Sequence, residues 1–225
     1  MPNNKLKNMN KYIVRSLSAA DVLAEAVPTL LDRANIPFEA IGNVNWPADF
    51  PYKPTVAFRI AYAGDNILIN YQVDEDSVRA VAPEDNGHVW EDSCCEFFVS
   101  PSPDAYYNIE CNCAGTLLIG YGPGRENRQL LPPNVLQKVG RWSSLGRQPF
   151  AERVGKCQWQ MALVLPVSTF MHHPDIKLQG CNMRANFYKC GDKTQKPHFL
   201  SWNAIHLPKP DFHCPPFFGE ISFEP

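Results

Sequence analysis

The chain has 225 residues, with 21 Lys+Arg against 23 Asp+Glu and a net charge of −2. That balance lacks the electrostatic footprint needed for nucleic acid or an anionic membrane surface, and no run approaches the roughly 20 apolar residues of a membrane span. Its 21 prolines and 13 glycines punctuate short apolar runs, which predicts an all-β sandwich or barrel and argues against a helical bundle.

Residues 1–10 are polar and expected to fray. The basic N-terminus has no apolar core, so no signal peptide is expected in it, and a cytoplasmic protein is expected unless a leader has been removed. Residues 12–15 predict an edge strand. Ser18 to Asp21 has capping-box form and opens a short helix that decorates the β domain, with Pro28 suited to a first helical turn. Strands are expected at 38–46, 55–63 and 66–73, the last two forming a hairpin through Gly64-Asp65. Trp46, ending a strand, reads as structural. Asp74-Glu75-Asp76 then reads as a solvated acidic turn; three acids together also make a candidate Ca²⁺ ligand set, although the EF-hand spacing is missing.

Residues 93–100 and 106–113 predict a hairpin joined by Pro-Ser-Pro-Asp. Cys95, Phe97 and Val99 alternate with Cys94, Glu96 and Phe98, and Tyr107, Ile109 and Cys111 with Asn108, Glu110 and Asn112. Trp90 stands just ahead of this hairpin. Residues 121–133 read as a loop, with Arg125 and Arg128 as solvated or rim charges. Further strands are expected at 135–142 and 157–165, with one helical turn after Pro166. The last third places Arg184 and Asn186 on one strand face, Trp202 beside Asn203, and a closing strand at 217–223. No internal repeat or linker divides the chain, so residues 1–225 are expected to form one domain.

The eight cysteines include no CxxC pair. They read as buried thiols, and Cys94 against Cys111 or Cys113 is the pairing to test if the protein is exported. Trp90 and Trp202 offer indole faces of the kind on which the C–H faces of sugars stack, although core tryptophans show the same pattern. Glu96 suits either a hydroxyl acceptor or one half of a carboxylate pair, with Glu91, Asp92 or Glu110 as the other half. No GxSxG or HExxH pattern occurs. His213, beside Phe212, reads as a structural histidine.

VWEDSCCEFFVSP, YYNIECNCAGTLL and the C-terminal NFYKCGD…PHFLSWNAI…PDFHCPPFFGEISFE resemble the carbohydrate-binding module family 9-like domains, of a Bacteroidetes type. These are antiparallel β-sandwiches related to the DOMON superfamily and often linked to xylanases. The resemblance implies a non-catalytic carbohydrate ligand, clamped between Trp90 and Trp202. Glu96, six positions after Trp90, accepts from its hydroxyls, and Arg184 and Asn112 add polar contacts. It also implies structural Ca²⁺ as a candidate cofactor, with no ligand set assigned. Alternatives are a glycoside hydrolase using Glu96 and a DOMON-type haem or redox binder. Oligomeric state is left open.

Overall fold

The structure, a computed structural model, describes residues 9–225. The expected fraying of residues 1–8 lies outside them. Asn10 is docked, donating its side-chain Nδ2 to the Trp202 carbonyl at 2.7 Å and its N–H to Asn203 Oδ1 at 2.9 Å.

The first strand is β1 (Lys11–Ser16). Ser18 does not cap a helix: a 3-10 turn at Ala24–Ala26 follows an extended Leu23 that makes no side-chain cap. Then comes α1 (Val27–Arg33), with Pro28 in its first turn, where a missing N–H has no intrahelical bond to lose. The strand expected over 38–46 breaks into β2 (Glu39–Ala40) and β3 (Asn43–Val44). The break has a topological cause, because the segment crosses between sheets. β2 pairs with β4 (Thr55–Ala63), whereas β3 pairs with β13 (Phe199–Ser201).

β5 (Asn66–Ala80) continues straight through the three acids, so they form no turn. Pairing with the long β11 (Phe150–Pro166) holds it extended. Alternation then sends the acids to different faces and different partners. Asp74 accepts from Gln158 at 2.8 Å, Asp76 pairs with Lys196 at 2.6 Å, and Glu75 is buried. The three carboxylates therefore do not converge on one point. β6 (Cys94–Ser102) and β7 (Ala105–Asn112) form the expected hairpin, followed by β8 (Leu117–Gly122) and β9 (Gln129–Leu130). The strand expected at 135–142 is instead a short helix, α2 (Pro133–Leu136), then β10 (Gly140–Ser143). β12 (Asn182–Cys190) and β14 (Gly219–Phe223) complete the set.

One sheet runs β1-β14-β12-β6-β7-β8-β9 and the other β10-β11-β5-β4-β1. β1 is no edge. Lys11 to Val14 lie parallel to β14 and Arg15-Ser16 parallel to β4, so this strand passes from one sheet into the other. The remaining strand pairs among the described residues are antiparallel, and the result is a curled β-sandwich.

Between the sheets, Phe97, Ile109, Phe187 and Phe223 face Phe58, Ile69, Tyr71 and Met161. The Phe58 and Phe187 rings stack at 3.6 Å. α1 covers the outside of the second sheet, burying Val27 and Leu31 against Ala61, Leu68 and Ala162. The outside of the first sheet carries Cys94, Phe98, Tyr106 and Tyr188, over which the chain returns as Ile205, Phe212 and Phe218.

Within the core, Lys189 on β12 pairs with Glu75 on β5 at 2.9 Å, both side chains fully buried. Trp159 Nε1 donates to Glu75 Oε1 at 2.8 Å. Burial works against the Lys189 ammonium, but the Glu75 charge and its neighbours outweigh it and hold its pKa above the usual value. Burial and the Lys189 charge push His198 well below its usual pKa. The ring is therefore neutral, and its Nε2 accepts from Lys189 at 2.7 Å while Nδ1 donates to the Lys196 carbonyl at 2.8 Å. Removing one partner from such a pair strands a buried charge, at a cost of about 3–5 kcal/mol. Lys189→Met is expected to lose about that much in denaturant unfolding, and Lys189→Met/Glu75→Gln to recover most of it.

Candidate functional site

The side chains that converge from the hairpin, the end of β12 and the returning C-terminal segment line a cavity of about 450 Å³ on the outer face of the first sheet. That is within the usual range for small-molecule sites. Trp90 lies on a 3-10 turn, Val89–Glu91, whose carbonyls are tied to the chain after β12. Its own carbonyl accepts from the Asp192 N–H at 3.2 Å, and the Glu91 carbonyl from that of Lys193 at 3.1 Å. The indole is half-buried, with the His88 ring 4.6 Å away, and it lines the cavity.

Glu96 reaches the same cavity from the middle of β6, only 2% exposed. Strand register sets Glu110 directly opposite it on β7 and Tyr188 opposite it on β12. Burial first, and the Glu110 charge second, hold the Glu96 carboxyl well above the ordinary carboxylate range. Burial likewise lifts Glu110 to about 7, although Asn108 Nδ2 donates to its Oε1 at 2.7 Å. Asp192, at the cavity wall, rises to about 6 through burial, against the pull of Arg125.

The opposing donor is Arg128. Its guanidinium lies over the Tyr106 ring, and Nη1 donates to His213 Nδ1 at 2.5 Å. Burial and the neighbouring arginine charges push His213 down to about 3, so the ring is neutral and accepts. Gly120 makes this approach possible: a Cβ there would stand 2.6 Å from Asn108 Oδ1 and 3.0 Å from Arg128 Nε. Four buried polar atoms beside the cavity have no hydrogen-bond partner among the described residues. They are the acceptors Asn108 Oδ1 and Glu110 Oε2 and the donors Arg128 Nε and Nη2. An unmet buried polar group costs about 1–3 kcal/mol. Four of them at one cavity form a set that a ligand with hydroxyls, able to donate and accept, would complete.

The structure brings Trp90 and Glu96 together but sets the other three expected residues elsewhere. Trp202 is 4% exposed and belongs to the inter-sheet core, edge-on to Phe58 and Phe187 at 5.8 and 5.9 Å. It does not face Trp90 across the cavity, because the strand end that carries it turns inward over Gly219. Asn112 is fully buried and shapes the β7–β8 turn: its Oδ1 accepts from the N–H groups of Ala114 and Thr116, and its Nδ2 donates to Asp92. Arg184 lines a separate groove and donates to the Phe218 carbonyl at 2.8 Å. In their place stand Asn108, Glu110, Arg128 and Asp192. For Asn108 and Glu110 the signal was present, since hairpin register and period two put them on the Glu96 face. For Arg128 there was none beyond its charge.

A family model described as carbohydrate-binding family 9 matches residues 25–223. The chain belongs to this family. No curated protein matches it. A crystal structure of a candidate carbohydrate-binding protein from Bacteroides uniformis ATCC 8492 is similar at 54% identity, with a TM-score of 0.94 over 96% of this chain and 100% of that one. A family 9 module from Caldicellulosiruptor kristjanssonii in complex with cellotriose shares the fold at 10% identity, with a TM-score of 0.59 over 96% of this chain and 94% of that one. The glucose complex of a family 9 module from that organism gives 11% identity and a TM-score of 0.55, with 96% of both chains covered.

The buried acids carry a sign for stability. Glu110 titrates near 7 when folded against an ordinary 4.5, so between those values the folded state holds a proton that the unfolded chain has released. Its contribution is complete below 4.5 and is lost as pH rises through about 7. Unfolding free energy, measured by denaturant melts across that window, is expected to fall with rising pH. Glu110→Gln should remove part of the fall, on the order of 2 kcal/mol above neutrality.

Proposed function

We propose that the cavity binds a mono- or oligosaccharide without catalysis, in the use of a xylan-type or related polysaccharide. The observation that carries this reading is the set of unmet acceptors and donors, Asn108, Glu110 and Arg128, in one cavity with the half-buried indole of Trp90. A sugar ring offers what that set lacks: an apolar C–H face for the indole and hydroxyls that donate to the carboxylate and accept from the guanidinium. Family membership supports the same chemistry. In its protonated form, which burial favours, Glu96 can donate to one hydroxyl oxygen and accept from another, as a glutamine in its place also does. Trp202 takes no part in this arrangement.

A second reading, glycoside hydrolysis, is favoured by one observation: Glu96 and Glu110 face each other across β6 and β7 with raised pKa values. Carboxyl pairs of that kind supply acid and nucleophile in retaining enzymes. Turnover of aryl glycosides that disappears in Glu96→Gln would favour it over binding alone.

Calorimetry with glucose, cello-oligosaccharides and xylo-oligosaccharides tests the binding reading. Trp90→Ala is expected to weaken the best ligand by about 2 kcal/mol, roughly thirtyfold. Glu96→Gln should change affinity little near neutral pH, whereas Glu96→Ala should lose about 1 kcal/mol. Trp202→Ala should cost about 3–5 kcal/mol of folding stability and leave the folded fraction's affinity intact. Unchanged affinity in Trp90→Ala and Arg128→Ala would overturn the assignment.

A further inference from the structure

We propose that Cys94, Cys190 and Glu96 form a binding site for a thiophilic divalent cation of the Zn²⁺ class at the floor of this cavity. Cys94 and Glu96 are two residues apart on β6 and therefore share a face. Cys190 on β12 is the direct cross-strand partner of Cys94. The two Sγ atoms and a Glu96 carboxylate oxygen all lie within 4.8 Å of one another. A tetrahedral Zn²⁺ with Zn–S of ~2.3 Å and Zn–O of ~2.1 Å needs ligand-to-ligand edges of roughly 3.4–3.8 Å. Small side-chain rotations close that difference.

The rest of the geometry agrees. Cys190 Sγ is already aimed at Glu96 Oε1, 3.0 Å away. All three residues are at most 2% exposed, yet Glu96 and Cys190 line the cavity, which gives an ion its entry path. Three protein ligands with the fourth position open to a cavity is the arrangement of exchangeable zinc sites, where water or a ligand oxygen fills the last place. Both strands are held by sheet pairing on either side, so little ordering remains to be done on binding. Two thiolates among three ligands select against Ca²⁺ and Mg²⁺, which take oxygen shells. Binding displaces the two thiol protons and the carboxyl proton to solvent, and no redox step is involved. Cys95 and Cys111 are also direct cross-strand partners, but they face the inter-sheet core.

A bound ion would occupy the Glu96 carboxylate that the sugar reading uses, but the inference does not rest on that reading, and its test uses no sugar. The full chain, kept reduced with a non-coordinating phosphine, is titrated with Cd²⁺ or Co²⁺ and then with Zn²⁺ as competitor. One equivalent is expected to bind with an intense thiolate-to-metal charge-transfer band that Zn²⁺ displaces. Zn²⁺ alone should raise the melting temperature of the wild type. Cys94→Ala/Cys190→Ala should lose the band, and Glu96→Gln should keep it while weakening affinity on the order of tenfold or more. Replacing the half-buried Cys157, Cys181 and Cys214 with Ala should leave it unchanged. Absence of the band or of Zn²⁺ stabilisation in the reduced wild type overturns the proposal, whatever the variants do. So does a band that survives in the double variant.

Discussion

The buried pair between Lys189 and Glu75 ties β12 to the opposite sheet, and the cavity on the outer face depends on where β12 lies. Both faces of this strand are buried. Phe187 and Lys189 point into the sandwich, Phe187 stacking on Phe58 and Lys189 on its carboxylate, while Tyr188 and Cys190 point the other way. A slip by one residue would turn Phe187 and Lys189 to the outer face, away from Phe58 and Glu75, and put Tyr188 and Cys190 between the sheets. Its register therefore holds Cys190 beside Glu96, and the segment after it holds the Trp90 turn through two backbone hydrogen bonds.

On that fixed face the chemistry comes from burying polar groups without satisfying them all. Glu96, Glu110 and Asp192 are kept away from water and close to one another, which raises all three above the ordinary carboxylate range. Arg128 supplies compensating charge but spends only part of its donor set on His213 and Tyr106. A fully satisfied network would have been more stable and chemically inert. The orphaned acceptors and donors suit the cavity to a ligand bearing hydroxyls, at a cost in stability met by the aromatic packing of the two cores.

Much of this was legible because it is local. The β6–β7 hairpin follows from a Pro-Ser-Pro-Asp turn and strict alternation. β4 (Thr55–Ala63) follows from its apolar run bounded by proline and glycine. The Trp90–Glu96 pairing is what the family resemblance implies, through a six-residue spacing within one hairpin approach. Trp202 illustrates the limit. Beside Ser201 and Asn203 it has the local look of an exposed indole, but its burial depends on Phe58, more than a hundred residues earlier, and on the space beside Gly219. The acids at Asp74 to Asp76 mislead for the same reason, since pairing with β11 and β4 and the ion pair to Lys189 keep them extended and separate them.

By itself, then, the sequence determined most of the strands, the β4–β5 and β6–β7 hairpins among them, and which side chains share a strand face, since period-two alternation and turn chemistry act over a few residues. It also determined the family, through motifs carried on those elements. The tertiary structure decided which faces meet. Strand order and the return of the C-terminal segment chose Asn108, Glu110 and Arg128 for the cavity and sent Trp202, Asn112 and Arg184 elsewhere. Those choices depend on contacts between residues tens to hundreds of positions apart, for which local pattern carries no signal.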